Sequence, residues 1–529
     1  MSELASEPSV PGYDYVVVGG GSAGCALASR LSEDPGTTVC LLEAGPSDVD
    51  DLAILRLEDW MFLLDSGYDW DYLVEPQEHG NSFLRHARAR VLGGCSSHNS
   101  CIAFWTPRED LDEWAASGCD GWSADECWPL IRRLETNDGQ WRGPAHHGHG
   151  RTGPVNLMQV PPDDPCGVAV LEACAGVGLP TVRFNEGVTV CEGAGFFQIN
   201  SLPDGTRASA SVSYLHPVMA TRSNLTVLTD CWASRVLFDG RRATGVEYQQ
   251  GIGPGRRAVT ANREVILSAG SIDTPKLLML SGIGPAEHLR DFGIDVLVDA
   301  PGVGSNLDDH VEGLVMWDAA RPMVTRSTQW WEIGLFHRTE PGLDRPDLMM
   351  HYGSVPFDLN TVRWGYPTTD NGFCLTPNVT RGRSRGTVRL RSRDFRDRAR
   401  VDPRYFTDSE GHDMRVMQTG IRLARRIAEQ PALKDWVARE LAPGPEAVSD
   451  DELEDYIVRT HNTVYHPACT VRMGPETDPL APLDPQLRVR GVENLRVADA
   501  SVLPFLPAIN PNITTMMVGE KCSDLLKPP

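Results

Sequence analysis

The chain is short of positive charge: 49 Lys and Arg stand against 72 Asp and Glu, a formal net charge of −23. That balance repels a polyphosphate backbone and an anionic leaflet, and no Lys/Arg-rich block offsets it, so nucleic acid and acidic membranes drop out as leading partners. Long hydrophobic runs are also missing. Apolar pieces on the scale of Leu277-Leu278-Met279-Leu280 fall far below the roughly 18 residues of a spanning helix. Residues 1–7 are acidic where a signal peptide is basic, and no apolar stretch follows, so a cytoplasmic address is expected. Paired cysteines are lacking as well: the thirteen cysteines are odd in number and contain no C-x-x-C. Reduced, buried thiols are expected, without a disulfide framework or a structural metal. His146, His147 and His149 sit in a Gly/Pro-rich stretch with no second ligand cluster, which reads as a solvated loop.

What is present is a globular composition, 41% hydrophobic over 529 residues, enough for two to four domains at about 100–200 residues each. The stretch 13–18 is a buried-strand pattern that runs into Gly19-Gly20-Gly21-Ser22-Ala23-Gly24, then a helix over 23–31 and a second strand over 38–43 ending on Glu43. Short β-rich segments at 225–228, 233–238, 245–249 and 263–267 predict a meander feeding back to the main sheet. Segments 347–352 and 387–391 predict strands of a second, antiparallel sheet. Met414, Met417, Ile421, Ala424 and Ala428 fall at helical spacing and read as core packing, and Ser449 to Glu452 form a capping box.

The spacing Gly19-x-Gly21-x-x-Gly24 between a strand and a helix brings bare backbone N–H groups and a helix N-terminus to a pyrophosphate. Glu43 lies where a carboxylate accepts hydrogen bonds from ribose hydroxyls, which implies FAD or NAD rather than NADP. A second run, Arg90-Val91-Leu92-Gly93-Gly94-Cys95-Ser96-Ser97-His98-Asn99-Ser100, packs small residues around one imidazole and leaves room for a planar ring system.

With these residues the chain resembles the glucose-methanol-choline (GMC) flavin oxidoreductases. Four ordered blocks carry the likeness: 18–24 with Glu43; 90–114; 268–285; and His466-Pro467 with Asp499-Ala500-Ser501 and Asn510-Pro511-Asn512. The family fold is α/β, a Rossmann-like FAD domain joined to an antiparallel-sheet substrate domain. The resemblance places the FAD domain at 13–158, 200–310 and 463–526, and the substrate domain at 159–199 and 311–462. It implies FAD held by Gly19, Gly21, Gly24, Glu43, Gly93, Gly94, Ser97, Asn99, Asp499, Asn510 and Pro511, with a covalent link through His98.

Within the family, 96–105 and 327–332 are most similar to the choline-oxidising members. That likeness implies His466 and Asn510 for proton removal and alkoxide stabilisation, since an imidazole can take a proton near neutral pH and an amide can donate without titrating. It adds His351 as a second imidazole at the substrate, Val464 beside the flavin, and Ser100. Trp60, Glu312, Trp331 and Tyr465 match positions that hold a trimethylammonium group, which has no N–H and is recognised by ring faces and an opposite charge. The activity implied is oxidation of choline to betaine aldehyde and on to glycine betaine, with O2 reduced to H2O2, in a homodimer. Alternatives are an oxidase of neutral alcohols, a choline dehydrogenase, or a hydroxynitrile lyase on the same fold. Two departures flank the site: residues 503–509 are more apolar than in those members, and Ala468-Cys469 replaces a Val-Gly pair. Both are expected to relax the substrate preference toward longer or less polar alcohols.

Overall fold

A computed structural model describes residues 12–137, 148–186, 190, 192–253 and 255–527. Its first sheet has seven strands. Gly12–Val18 runs parallel to Val39–Leu42 on one side and to Arg256–Leu267 on the other. Leu225–Leu228 extends the parallel sheet beyond Val39–Leu42, and Leu495–Val497 pairs with Arg256–Leu267. Of the expected meander, Cys231–Asp239, Arg242–Gln250 and Arg256–Leu267 are joined antiparallel, whereas 225–228, expected with them, belongs to the parallel part of the sheet. Val16, Val17, Val39, Cys40 and Leu41 are wholly buried, the continuous apolar pattern of strands covered on both faces. Helix Ser22–Leu31 begins at Gly21 and lies against the C-terminal helix Asn512–Leu526. A Cβ on Gly519 would stand 2.4 Å from the Ala23 carbonyl oxygen, so the two helices meet backbone to backbone.

The second sheet runs Val437–Ala442, Val315–Ala319, Gly372–Val379, Leu348–Gly353, Ile333–His337, Gly193–Phe196, all antiparallel. Helix His412–Ala428 covers one face and buries Val416, Met417, Ile421, Ala424 and Ile427. Strand alternation then decides what the other face presents. Leu348, Met350 and Tyr352 pack into the core that includes this helix. Met349 joins a separate cluster with Trp60, Phe104 and Trp331, and His351 lies one strand period further on the same side.

Two further expectations need correction. Thr387–Arg389 pairs with Arg400–Asp402 in a separate two-stranded ribbon, not in the second sheet. His149 is not solvated: its ring bonds Glu135 Oε1 at 2.8 Å and the Asn185 carbonyl at 3.0 Å, against Trp105; His146 and His147 lie outside the described residues. The apolar 503–509 segment and Ala468-Cys469 flank the cavity described below without lining it, as expected. The segment hangs on two buried carboxylates, with Asp308 accepting from Leu506 N and Asp110 from Ala508 N. The cysteines among the described residues are unpaired, and all but Cys95 are buried.

Candidate active site

One cavity runs along the ends of the first sheet and under the second, and most of the expected site residues line it. Its nucleotide-facing wall is backbone. Gly19 has φ +103°, and a Cβ there would meet the Ser268 carbonyl oxygen at 2.4 Å; one on Gly94 would meet Gly21 Cα at 2.6 Å. Gly21 differs, with no atom nearer than 3.9 Å, so its bare backbone faces open space at the start of a ten-residue helix. An extended anion fits such a wall. Glu43 accepts from Gly20 N at 2.8 Å and Gly45 N at 2.7 Å, and burial raises its carboxyl to about 7 despite those donors.

Not every expected cofactor contact reaches the cavity. Gly24, Gly93 and Ser97 stand behind it. A Cβ on Gly24 would lie 2.0 Å from the Gly19 carbonyl oxygen, one on Gly93 would lie 2.0 Å from Ser97 Oγ, and Ser97 Oγ donates to the Leu92 carbonyl. These three shape the turns. Asp499 borders the cavity but commits both oxygens to the protein, accepting from Gly270 N, Thr274 Oγ1, Ser501 N and Ser501 Oγ. Pro511 and Asn512 also line it, and Asn512 Nδ2 is a buried donor with no protein partner.

His98 is buried in the cavity wall with Asn99 and Ser100 beside it. Its Nε2 makes no hydrogen bond and lies 3.6 Å from Asp69 Oδ2. Burial lowers the ring below the usual histidine value although Asp69 opposes the shift, so the ring favours its neutral form. The loop is clamped by Arg207, itself fully buried, which donates to the carbonyls of Ile54, Ser96 and Asn99.

Across the cavity three imidazoles meet. His466 Nδ1 is 2.9 Å from His310 Nδ1, and Asn510 Nδ2 is 3.4 Å from His466 Nε2. With the amide donating to Nε2, the His466 proton sits on Nδ1 and is shared toward His310, and the Nε2 lone pair, held by Asn510 here, becomes the base when a substrate hydroxyl takes the amide's place. Burial, then the neighbouring His310, drives His466 well below the ordinary histidine value, while Asp309 works against them. His351 is fixed differently. Asn378 Nδ2 donates to the Thr376 carbonyl and to His351 Nδ1, each at 3.2 Å, so the ring carries its proton on Nε2, which has no protein partner. Burial lowers this imidazole to about 3 and keeps it a neutral donor.

Glu312 sits in a two-residue strand, Val311–Glu312, held between Asn378 and Asn462. Asn462 Nδ2 donates to it at 3.4 Å, and burial raises its carboxyl to about 8. Around it are Trp60 and Trp331, edge to face at 5.4 Å, with Phe357 against Trp331 at 5.3 Å. Tyr465, backbone φ 62°, receives Asn462 Nδ2 on its hydroxyl at 3.4 Å, and Val464 lines the wall beside it.

Sequence reasoning missed His310, Asp309, Arg207 and Phe357. A signal existed for His310 alone: it precedes Glu312 by two residues, the strand period that brings side chains to one face. Among the described residues no cluster of three or more His, Cys, Asp or Glu is arranged to hold a metal, and no helix is long and apolar enough to cross a membrane.

This glycine cradle, free imidazole and histidine pair belong to a flavoprotein oxidoreductase: profiles described as GMC oxidoreductase match residues 13–312 and 382–519, and the chain is a member of that FAD-binding family. It is 64% identical to choline oxidase of Arthrobacter globiformis over 97% of this chain and 94% of that protein. It is 38% identical to human mitochondrial choline dehydrogenase, over 97% and 90%. The crystal structure of pyridoxine 4-oxidase from Mesorbium loti superposes with TM-score 0.88 at 32% identity, covering 97% of this chain and 99% of that one.

Proposed function

We propose that this enzyme oxidises choline to betaine aldehyde and, through the aldehyde hydrate, to glycine betaine, each step passing two electrons to O2 and yielding one H2O2. The observation that carries the reading is Glu312: a buried carboxylate walled by Trp60, Trp331 and Tyr465, in the same cavity as His466, His351 and Asn510. A quaternary ammonium suits that pocket, since ring faces contribute about 0.5–2 kcal/mol each and the charge meets an acid that has the Asn462 amide and, at 3.9 Å, the neutral His351 ring beside it. The greater identity to an oxidase than to a dehydrogenase favours O2 as acceptor.

FAD, when bound, supplies the hydride acceptor. His466 Nε2 takes the hydroxyl proton, and the Nε2–H of His351 and the Asn510 amide meet the oxygen as its charge develops. Ser100 stands in the same cavity wall and can donate to that oxygen. Trp60, Trp331 and Tyr465 keep water from the cation, and Val464 leaves an apolar gap beside the reacting carbon. Oxygen uptake tests the activity: choline and betaine aldehyde consume O2 with stoichiometric peroxide, whereas faster turnover of neutral alcohols would promote the neutral-alcohol oxidase.

His98 is the proposed attachment point for FAD, supported by its place in the cavity wall and by burial that favours the neutral ring. Acid-precipitated protein is expected to keep its yellow colour and the His98→Ala protein to lose it; pigment wholly in the supernatant of the parent removes the link. The proposed FAD unit, 13–158, 200–310 and 463–526, holds all seven strands of the first sheet apart from Gly12. The proposed substrate unit, 159–199 and 311–462, holds the second sheet apart from Thr463.

A further inference from the structure

The geometry points to Asp309 as a positioning residue for proton removal: it anchors His466 by its backbone N–H and so holds a fixed negative charge next to the residue whose imidazole must become an imidazolium. This rests on the reading of His466 as the base. Asp309 lies on the chain between Asp308, which turns away to Arg385 at 3.1 Å, and His310, the partner of His466. Its side chain is almost wholly buried, and its two oxygens accept three hydrogen bonds and lie within ion-pair distance of a fourth group, His86, whose Nε2 also meets the Tyr405 hydroxyl. Oδ1 accepts from His466 N at 2.9 Å; Oδ2 accepts from Thr463 Oγ1 at 2.5 Å and from the Tyr405 hydroxyl, with His86 Nε2 at 3.3 Å.

Every other charge-bearing group near His466 makes protonation harder or is committed elsewhere. His310 and His351 crowd the ring, and the Arg88 guanidinium, donating to the Tyr465 carbonyl, adds a positive charge. Glu312 is the candidate partner of the substrate cation. His461, on the far side of Asp309, is buried and bonds Asn81 N. Asp309 alone among these groups opposes the neutralisation of His466, and the donors around it hold it ionised well below the usual carboxylate range, overcoming the burial that would raise it. A carboxylate so placed offsets the charge that appears when the alcohol gives up its proton.

Asp309→Asn removes the charge with little change of shape. In the holoenzyme, the limb of the pH profile for anaerobic flavin reduction is expected to move to lower pH by about one unit, with the limiting rate down about tenfold or more and choline saturation little changed. Glycine betaine binding, followed by calorimetry, supplies a readout without turnover. Its carboxylate favours an imidazolium, so the pH at which its affinity falls is expected to shift the same way. Tyr405→Phe keeps the carboxylate but withdraws one donor, and moves the limb upward. A folded Asp309→Asn protein whose limb and betaine profile stay in place overturns the proposal. If that variant does not fold, a Tyr405→Phe limb that is unmoved or lowered does so. His466→Ala separates the two readings: a limb that survives in that variant shows that His466 is not the base, whatever Asp309 does.

Discussion

Burial holds Glu312 at about 8, so below that pH the carboxyl keeps its proton, and a cation entering the pocket must displace it. Choline affinity is therefore expected to weaken as pH falls below about 8, by up to about tenfold per unit, with one proton released on binding. Calorimetry in buffers of different ionisation enthalpy measures that proton. The neutral isostere 3,3-dimethylbutan-1-ol is expected to show no such dependence, and Glu312→Gln to abolish it for choline. A parent protein whose choline affinity is flat from pH 6 to 9 would remove Glu312 as the counter-charge. At this scale residue type and spacing alone did not single out the site; the family resemblance named His98, His351, His466, Asn510 and Glu312, and all meet in one cavity. Groups that act through others were not legible. Asp309 and Arg207 carry no motif of their own; their roles appear only when residues far apart in the chain meet, His86, Tyr405 and Thr463 at Asp309 and the carbonyls of Ile54, Ser96 and Asn99 at Arg207.

At the scale of elements, the glycine turn controls the cofactor wall. Gly24 does not touch the cavity, yet its Cα sits under the Gly19 carbonyl, and a methyl group has no space there. Gly24→Ala is expected to displace the start of helix Ser22–Leu31, costing about 1–3 kcal/mol of stability or more and most of the bound flavin. Thermal melting and the flavin-to-protein absorbance ratio measure both; a normal melt with full flavin would show that the turn tolerates the clash. The βαβ opening and the meander were readable because buried parallel strands and turn residues leave local patterns. The ribbon Thr387–Arg389 with Arg400–Asp402 was misplaced because alternation identifies a strand and not its partner. The His149 misreading has a similar origin, since Glu135 and Asn185, which bury the ring, are remote from its loop.

At the scale of the molecule, the reaction depends on two sheets meeting over one cavity. The first contributes the glycine wall and Glu43; the second contributes His351 and Glu312, while His466 and Asn510 arrive on C-terminal segments that return between them. The site is thus complete only in the folded whole; the apolar 503–509 segment lies beside Asn510 in sequence but does not line the cavity. The central claim is that His466 removes the alcohol proton as the hydride leaves. Stopped-flow flavin reduction by choline under nitrogen measures that step without the oxygen half-reaction. For His466→Ala the rate is expected to fall at least about 10²-fold while choline still saturates at comparable concentrations; a variant that bleaches its flavin as fast as the parent would contradict the account.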